Sequence, residues 1–438
     1  MTTSYQSAIQ ISDGPVVTAT SERVPFRIVA ATVAGNALEF FDFLTYAFFA
    51  IYIAKAFFPA SSPLASLLMT LAVFGVGFIT RPIGGFLIGA FADRAGRKPA
   101  MLLTIMLITI GTMGLALTPS YDSIGIAAPI IIVVCRLVQG FALGGEVGPS
   151  TAYLIEIAPT KKRGLYGSWQ FASQGIGVLL AGTIGLLLTV SLSPEQMQNW
   201  GWRVPFVFGL LLIPIALYLR QHMPETLTQP DSNRLEDDAK IKITRYVKPI
   251  TIALMILMGT TVATYVTNYM TTYAITTLKL PPAIGMAATV TQGLMLLIFA
   301  LLGGWLSDRY GRKPVMLWPR VILVLSIYPA FWLLINYTSL LNLLWVTALM
   351  AAMTAISGAA IFSAIPEIFP SRVRALGMSI AYAVSVTVFG GATQFIVTWL
   401  ISVTGDAATP AWYVMGATII STFALLYISE TNGKELKR

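Results

Sequence analysis

Charged residues are scarce in this chain: Asp, Glu, Lys and Arg make up 11% of its 438 residues, whereas a soluble domain usually carries about 25%. Because hydrophobic residues account for 56% of the chain, it has too little polar surface to cover a core in water. Such a composition suits a lipid bilayer, where an apolar exterior is required. It therefore predicts an integral membrane protein.

Residues that bind metals or carry out nucleophilic chemistry are nearly absent as well. Cys135 is the only cysteine and His222 the only histidine. This excludes an intrachain disulfide and argues against a Cys- or His-ligated metal and against a histidine triad. We therefore expect no enzymatic activity, no cofactor and no metal. Residues 1–26 lack the short apolar core of a cleavable signal peptide and are predicted to be a cytoplasmic tail.

Long apolar stretches are abundant instead. About 20 apolar residues cross the hydrocarbon core of a bilayer, and the sequence contains twelve such stretches, six on either side of one long polar segment. The predicted spans are residues 27–54, 64–90, 100–118, 126–157, 165–190, 203–220, 249–278, 284–306, 315–336, 341–367, 375–403 and 411–429.

The basic residues are distributed unevenly over the loops between these spans. If both termini are cytoplasmic, only Lys55, Arg203 and Lys279 fall in loops on the opposite side. That is the positive-inside pattern, and it accounts for the net charge of +9 without a nucleic-acid partner. We expect a multi-pass, monomeric protein of the cell (inner) membrane with both termini in the cytoplasm.

Two motifs occur once in each half of the chain. The loop GAFADRAGRKP at residues 89–99 recurs as GWLSDRYGRKP at residues 304–314, each time between the second and third spans. A Glu-x6-Arg motif follows the fourth span of each half, at residues 156–163 and 367–374. Parallel repeats of this kind are a known transporter plan, with the substrate site between the repeats near the middle of the membrane.

These repeats predict an all-α polytopic membrane protein with twelve transmembrane helices in two pseudo-symmetric six-helix bundles. The expected domains are the N-terminal bundle at residues 27–220, a cytoplasmic linker at 221–248, the C-terminal bundle at 249–430 and a cytoplasmic tail at 431–438. The linker mixes both signs of charge with Pro and Ser, as a connection between two bundles would.

At these motifs the chain resembles the major facilitator superfamily, whose loop signature is G-x3-D-[RK]-x-G-[RK]-[RK]. More narrowly, it resembles the metabolite:proton symporter family, and among its members the citrate and tricarballylate carriers. The stretches that carry the resemblance are 35–43, 52–60, 81–85, 136–146, 168–174 and 200–206. The resemblance implies the major facilitator fold and uptake of a citrate-like tri- or dicarboxylate together with protons, by alternating access.

Other substrates and directions stay open. The same family scaffold carries zwitterions such as proline or betaine, and shikimate-like or aromatic acids. Efflux by antiport is disfavoured, because the fifth span reads GSWQFASQGIGVLLAG and lacks the Pro of the superfamily's antiporter motif, G-x3-G-P-x2-G-G.

The repeated loops carry candidate latch residues. An Asp can attract the N-terminus of a neighbouring helix, and the resemblance implies a cytoplasmic latch between the halves that forms in one conformation and breaks in the other. The alternative is a set of surface charges that only fix topology, with ion pairs that contribute little. The predicted latch residues are Gly89, Asp93, Arg94, Gly96, Arg97, Gly304, Asp308, Arg309, Gly311, Arg312, Glu156, Arg163, Glu367 and Arg374.

Ionisable residues inside the predicted spans are costly unless paired or hydrated. Counting the helical rise from the cytoplasmic ends puts Asp42 roughly level with Arg136, and Arg81 level with Glu146. We therefore expect two ion pairs: Asp42, or alternatively Glu39, with Arg136, and Arg81 with Glu146. A carboxylate that loses its Arg contact binds a proton more readily. Asp42, Glu39, Arg136 and Glu146 are therefore predicted to couple transport to protons, and static ion pairs between helices are the alternative.

Polar side chains are concentrated in the predicted seventh span, which lipid does not favour. One face of this helix should line a hydrated cavity, unless its hydroxyl and amide groups bond only to other helices. Arg320, close to the cytoplasmic end of the ninth span, is expected to snorkel to the surface. The predicted substrate-binding residues are Arg136, Arg81, Gln139, Gln170, Gln174, Tyr265, Asn268, Tyr269 and Gln394.

Overall fold

The computed structural model describes residues 26–95, 97–221, 246–370, 374–434 and 436. The linker prediction falls mainly on residues 222–245, and the N-terminal tail on 1–25, which lie outside the described residues. Helices of the first half are α1 Phe26–Phe48, α2 Ala50–Phe57, α3 Pro63–Ile79, α4 Arg81–Ala95, α5 Arg97–Leu117, α6 Tyr121–Ile124, α7 Ala127–Gly144, α8 Val147–Ile157, α9 Arg163–Ser191, α10 Pro194–Asn199 and α11 Val204–Gln221.

The second half is built in the same way from long helices. One of its spans is interrupted by a π-helical turn at Val386–Gly390, between α16 and α17. The helices are α12 Val247–Thr276, α13 Pro282–Tyr310, α14 Arg312–Asn336, α15 Leu340–Ile368, α16 Arg374–Ser385, α17 Thr393–Thr404 and α18 Thr409–Ala424.

The described helices account for all twelve predicted spans. Nine are long and apolar enough to cross a membrane, and α1 with α2 forms a further span bent by 65°. Two shorter apolar helices, Leu102–Leu117 and Gly201–Leu211, occupy the places of the third and sixth predicted spans. The predicted fold class, two six-helix bundles of a polytopic membrane protein, is confirmed.

Glycines allow the two halves to approach closely. α9 of the first half and α13 of the second make the most extensive contact between any two of the described helices. A Cβ atom on Gly175 would lie 2.6 Å from the backbone nitrogen of Leu297, and one on Gly182 would lie 2.7 Å from that of Val290. Small residues bring membrane helices together in this way, because lipid provides no hydrophobic force between them.

The halves contact each other near both ends of the bundle. We call the end that carries residues 304–314 and the start of α9 the latch face, and there α8 packs on α16. Near the opposite face α3 packs on α17, and Leu67 and Leu71 share a buried cluster with Tyr273. The space between the two halves is therefore closed both at the latch face and at the opposite face.

Candidate functional site

A small cavity lies between the two halves. Its volume is about 30 Å³, enough for one or two water molecules and far below the roughly 300–1,000 Å³ of a pocket that holds an organic ligand. An organic acid can therefore enter only if the halves separate. The cavity is lined by Phe40, Leu44, Phe171, Gln174, Leu257, Thr260, Thr261, Thr264, Tyr265, Asn268, Phe362, Tyr382 and Val386.

Three of the predicted substrate-binding residues line this cavity: Gln174, Tyr265 and Asn268. Tyr382, for which no role was predicted, lines it too. A lone tyrosine in an apolar span carries no motif, so no sequence signal marked it. The α12 face that bears Tyr265 and Asn268 is the polar face expected of the seventh span.

Arg81 lies behind two of these tyrosines. It is 1% exposed, and the hydroxyl groups of Tyr265 and Tyr382 face its guanidinium group. The guanidinium lies over the rings of Phe43 and Phe78, at 4.4 and 4.1 Å from their centroids. Cation–π contacts of this kind stabilise a desolvated charge. They leave the N–H groups of the guanidinium available for hydrogen bonds to a ligand.

The predicted pairing of Arg81 with Glu146 is wrong for this conformation. Glu146 instead accepts a hydrogen bond from Thr104 at 3.2 Å. Counting the helical rise gave the depth of each residue but not the direction in which its side chain points, and α4 turns Arg81 toward the cavity.

The predicted direct pair of Asp42 with Arg136 is also wrong for this conformation, because two polar side chains lie between them. Arg136 donates to Oε1 of Gln139 at 2.8 Å, and Nε2 of Gln139 donates to Oγ1 of Thr112 at 2.9 Å. The Thr112 hydroxyl in turn donates to Oδ2 of Asp42 at 3.3 Å. We call Asp42, Thr112, Gln139 and Arg136 the relay. All four residues are buried, and Thr112 was missed because a threonine in an apolar helix has no distinctive pattern.

Several buried donors near the centre have no hydrogen-bond partner among the described residues. Nearly all buried polar groups are paired in proteins, so each exception needs an explanation. Donors outnumber acceptors among these atoms, which suits a ligand rich in carboxylate oxygens. The unpaired donors on predicted site residues are Nε and Nη2 of both Arg81 and Arg136, Nε2 of Gln174, Nδ2 of Asn268 and Nε2 of Gln394.

Other predicted binding residues hold helices together. Gln170 donates to Asn36 at 3.1 Å and accepts from Ser150 at 3.2 Å, and Tyr269 accepts from Thr398 at 2.9 Å. Gln170, Tyr269 and Gln394 do not line the cavity in this conformation.

Glu39, which was predicted to take part in proton coupling, is buried on α1 at 2% exposure.

The latch residues of the second half contact the first half. The Asp308 carboxylate accepts the N–H groups of Gly164 at 2.6 Å and Leu165 at 2.8 Å, in the first turn of α9. These N–H groups have no partner inside their own helix, and a negative charge is favourable at a helix N-terminus. Arg312 pairs with Asp308 at 2.8 Å and with Glu367 at 2.9 Å, which holds the carboxylate in place.

Residues of the repeated Glu-x6-Arg motifs also make contacts between the two halves. Glu156 of the first half pairs with Arg374 of the second at 2.9 Å, and Arg163 donates to the carbonyl oxygen of Lys434 at 3.0 Å. Arg309, by contrast, lies near Trp305 and Tyr310 of its own helix.

Two positions of the second loop require glycine, one because of a close approach and one because of its backbone conformation. A Cβ on Gly304 would lie 2.5 Å from Oγ of Ser168, and Gly311 has φ = +99°, which other residues rarely adopt. In the first loop, Gly96 lies outside the described residues, as do the surroundings of Gly89 and the side chains of Asp93, Arg94 and Arg97.

One contact of the second latch loop, made within the second half, was not predicted. Glu430 accepts the backbone N–H groups of Arg312 at 2.9 Å and Lys313 at 3.0 Å, and so caps α14. Burial raises the pKa of Glu430, but hydrogen bonds from the N–H groups of Asn432, Arg312, Lys313 and Thr431 outweigh it and leave the pKa below its usual value of 4.5.

Arg320 does not snorkel, contrary to expectation. It is 3% exposed, and its guanidinium group donates five hydrogen bonds inside the second bundle. Its nearness to the end of the span suggested a route to the surface, but the helices packed around it close that route.

Comparison with known proteins places this arrangement in a family. The family model described as sugar (and other) transporter matches residues 28–240 and 231–438. The chain is 36% identical to the citrate-proton symporter of Klebsiella pneumoniae over 91% of both chains. It is 33% identical to the proline/betaine transporter of Escherichia coli K12, over 94% of this chain and 85% of that one. Identity is also 33% with the alpha-ketoglutarate permease of the same strain, over 97% and 98%.

Solved structures show the same fold. The proton:xylose symporter XylE bound to 6-bromo-6-deoxy-D-glucose superposes with a TM-score of 0.74 at 19% identity, over 94% of this chain and 97% of that one. The protein is therefore a membrane transporter of the major facilitator superfamily and not an enzyme. Within that superfamily, it belongs to the sugar (and other) transporter family.

Proposed function

We propose that this protein is a proton-coupled symporter that imports a di- or tricarboxylate, with citrate as the first candidate. The observation that carries the proposal is the surplus of buried, unpaired donors around the central cavity, including two arginines. Relatives named as citrate-proton symporters and an alpha-ketoglutarate permease support the same class of substrate. A buried cation without a counter-charge is costly, and a bound carboxylate would supply that counter-charge.

The relay gives Asp42 a route to Arg136. When Asp42 is ionised, the Thr112 hydroxyl donates to it and accepts from the Gln139 amide, whose oxygen then holds Arg136. A proton on Asp42 lets this carboxyl group donate to Thr112 instead. Thr112 must then turn its own hydrogen away from Asp42, and when that hydrogen turns toward Gln139, the Gln139 amide N–H loses its acceptor. Protonation would thereby loosen the bond between Gln139 and Arg136 and free the guanidinium for a substrate carboxylate.

Glu39 and Glu146 remain alternative proton carriers, since both are buried in the same half. The fixed cations Arg81 and Arg136, together with Gln174, Tyr265 and Asn268, are the proposed first contacts of the substrate. Gln139, Gln170, Tyr269 and Gln394 stay candidates for contact in a conformation in which the halves have separated.

The contacts of Asp308, Glu156 and Arg374 are proposed to be a latch that closes one side in the alternating-access cycle. We place the latch face in the cytoplasm of a cell with an inner membrane, with both termini on that side and a single chain as the working unit. The asymmetry of basic residues supports this orientation.

Uptake into proteoliposomes from a panel of organic acids tests the proposal. Citrate or another multivalent carboxylate should accumulate when the outside is made acidic, and a proton ionophore should abolish the accumulation. An absolute requirement for sodium, without response to a proton gradient, would contradict proton coupling. Accumulation of betaine or proline with no carboxylate transported would favour the second candidate function, a zwitterion symporter, which the 33% identity to a proline/betaine transporter supports.

A further inference from the structure

A second-half arginine, Arg320 of α14, is buried without an acidic partner. Its Nε donates to Oγ of Ser357 at 3.0 Å, and Nη1 donates to Oγ and the carbonyl oxygen of Ser421 at 2.8 and 3.2 Å. Nη2 donates to the carbonyl oxygen of Ile256 at 2.7 Å and to Oγ1 of Thr260 at 3.1 Å. All five acceptors are neutral, and none of the ion pairs among the described residues includes Arg320.

A purely structural role does not require this charge. The five bonds connect α14 to α12, α15 and α18. Elsewhere in the molecule, neutral polar side chains also make hydrogen bonds between helices. A guanidinium group stays ionised in proteins, and burying an unpaired ion costs far more than burying a neutral donor. The charge therefore calls for an anion that is near Arg320 for part of the transport cycle.

The central cavity is the space where such an anion would bind. Thr260, which accepts from Arg320 at 3.1 Å, is itself a lining residue of the cavity. One hydroxyl group thus separates the Arg320 charge from the cavity wall of the second half. Arg81 lies behind Tyr265 and Tyr382 in the same wall region and belongs to the first half.

We propose that Arg320 is a specificity-determining charge that makes the site select substrates with two or three carboxylates over substrates with one. This inference rests on the proposed function, because it assigns the substrate class of the same site. Arg81 and Arg136 supply positive potential from the first half and Arg320 from the second. A multivalent anion interacts favourably with both halves at once, so it also favours their closure, whereas a monocarboxylate balances only one side.

The expected effect follows from Coulomb's law. Two unit charges roughly 10 Å apart in a protein interior interact strongly enough to change a binding constant about tenfold. Loss of the Arg320 charge should therefore raise KM about tenfold for each negative charge on the substrate. The ratio between KM values for citrate and for a monocarboxylate should change by about a hundredfold.

The test measures KM by counterflow at equal pH on both sides, so that proton coupling does not contribute. Citrate, succinate and lactate are compared for the wild type, Arg320→Gln and Arg320→Lys. Arg320→Lys keeps the charge and should keep the preference for citrate, although it loses the forked hydrogen bonds. Lys55→Gln removes one positive charge from the exposed part of α2 and is the matched control for a change in net charge.

A second pair of variants covers the case in which Arg320→Gln does not fold. Ser357 is buried, contacts Arg320 and does not line the cavity. Ser357→Asp places a negative charge beside Arg320 while the arginine stays, and Ser357→Asn is its neutral counterpart of the same shape. We expect Ser357→Asp, but not Ser357→Asn, to shift selectivity away from citrate.

The outcomes separate the two proposals. If KM rises equally for all three acids, or not at all, in Arg320→Gln and Ser357→Asp, Arg320 is only a structural tie and the inference is overturned. If the wild type transports none of the acids, the proposed function fails in the first arm, before any variant is compared, and this inference falls with it.

Discussion

Substitution of Asp308 by Asn should shift the transporter away from the state closed at the latch face. The Asp308 carboxylate accepts N–H groups from Gly164 and Leu165 through different oxygen atoms. An Asn side chain offers one acceptor oxygen, so one N–H group would face an NH2 group. The variant also removes the negative charge from the N-terminus of α9.

The magnitude follows from these two losses. A hydrogen bond to a charged group contributes about 1.5–3 kcal/mol, and a charge at a helix N-terminus contributes about 0.3–1 kcal/mol. Since Asp308 is largely buried, with 11% of its side chain exposed, we expect a loss of about 3 kcal/mol. That corresponds to roughly a hundredfold change in the equilibrium between the closed and open latch.

Cysteine labelling from each side of the membrane measures this equilibrium. Replacing Cys135 by Ala removes the only native cysteine, and Thr264→Cys then places a reporter in the cavity wall. In vesicles of known orientation, Asp308→Asn should raise the labelling rate from the latch face by at least tenfold and lower it from the opposite face. Asp406→Asn, an exposed Asp that caps the N–H group of Ala408 near the other face, should leave both rates as in the parent.

The folded yield and melting temperature in detergent distinguish a latch from a general structural role. We expect the yield of Asp308→Asn to stay near that of the parent, because Arg312 keeps its ion pair with Glu367 inside the second half when its pair with Asp308 is lost. Unchanged labelling from both faces, in a variant that folds normally, would show that Asp308 does not hold the latch closed.

Four further predictions concern the relay, the cavity and the C-terminal cap. Asp42→Asn should abolish proton-driven accumulation but retain counterflow, which needs no net proton movement; accumulation with a wild-type proton response would transfer the role to another carboxylate. Thr112→Val, which keeps the shape but removes the hydroxyl, should lower the accumulation ratio at least tenfold, whereas Thr112→Ser should retain it; equal accumulation by the two variants would exclude the relay. Arg136→Lys should raise KM for citrate at least tenfold, because an ammonium group lacks the forked geometry of a guanidinium; wild-type KM in counterflow would contradict this. The lowered pKa of Glu430 means that its stabilising contribution is present above its ordinary value of 4.5 and is lost as the pH falls through the lowered value. Glu430→Gln should therefore melt a few degrees below the wild type at neutral pH, and the difference should shrink below about pH 4.5; a gap independent of pH would argue against a charged cap.

The sequence alone determined the class of protein and the course of the chain through the membrane. Twelve apolar stretches, one charge-rich connection and two copies of the 89–99 loop motif are enough for this, because a membrane span must satisfy its backbone within one continuous apolar helix. The Asp308 contact with α9 was also within reach of the sequence. A carboxylate is attracted to the N-terminus of any helix that packs beside it, and the repeated loop motif marks Asp308 as a candidate for such a contact.

Tertiary structure decided which side chains meet. Helical rise gives the depth of a residue along its span, so Asp42 and Arg136 could be placed at comparable depths. It does not give the rotation of each helix or the identity of the helix packed beside it. Those depend on close approaches such as that of Gly175 to Leu297. As a result, Thr112 and Gln139 lie between the expected partners, and Arg320 is enclosed by helices whose positions no local pattern specifies.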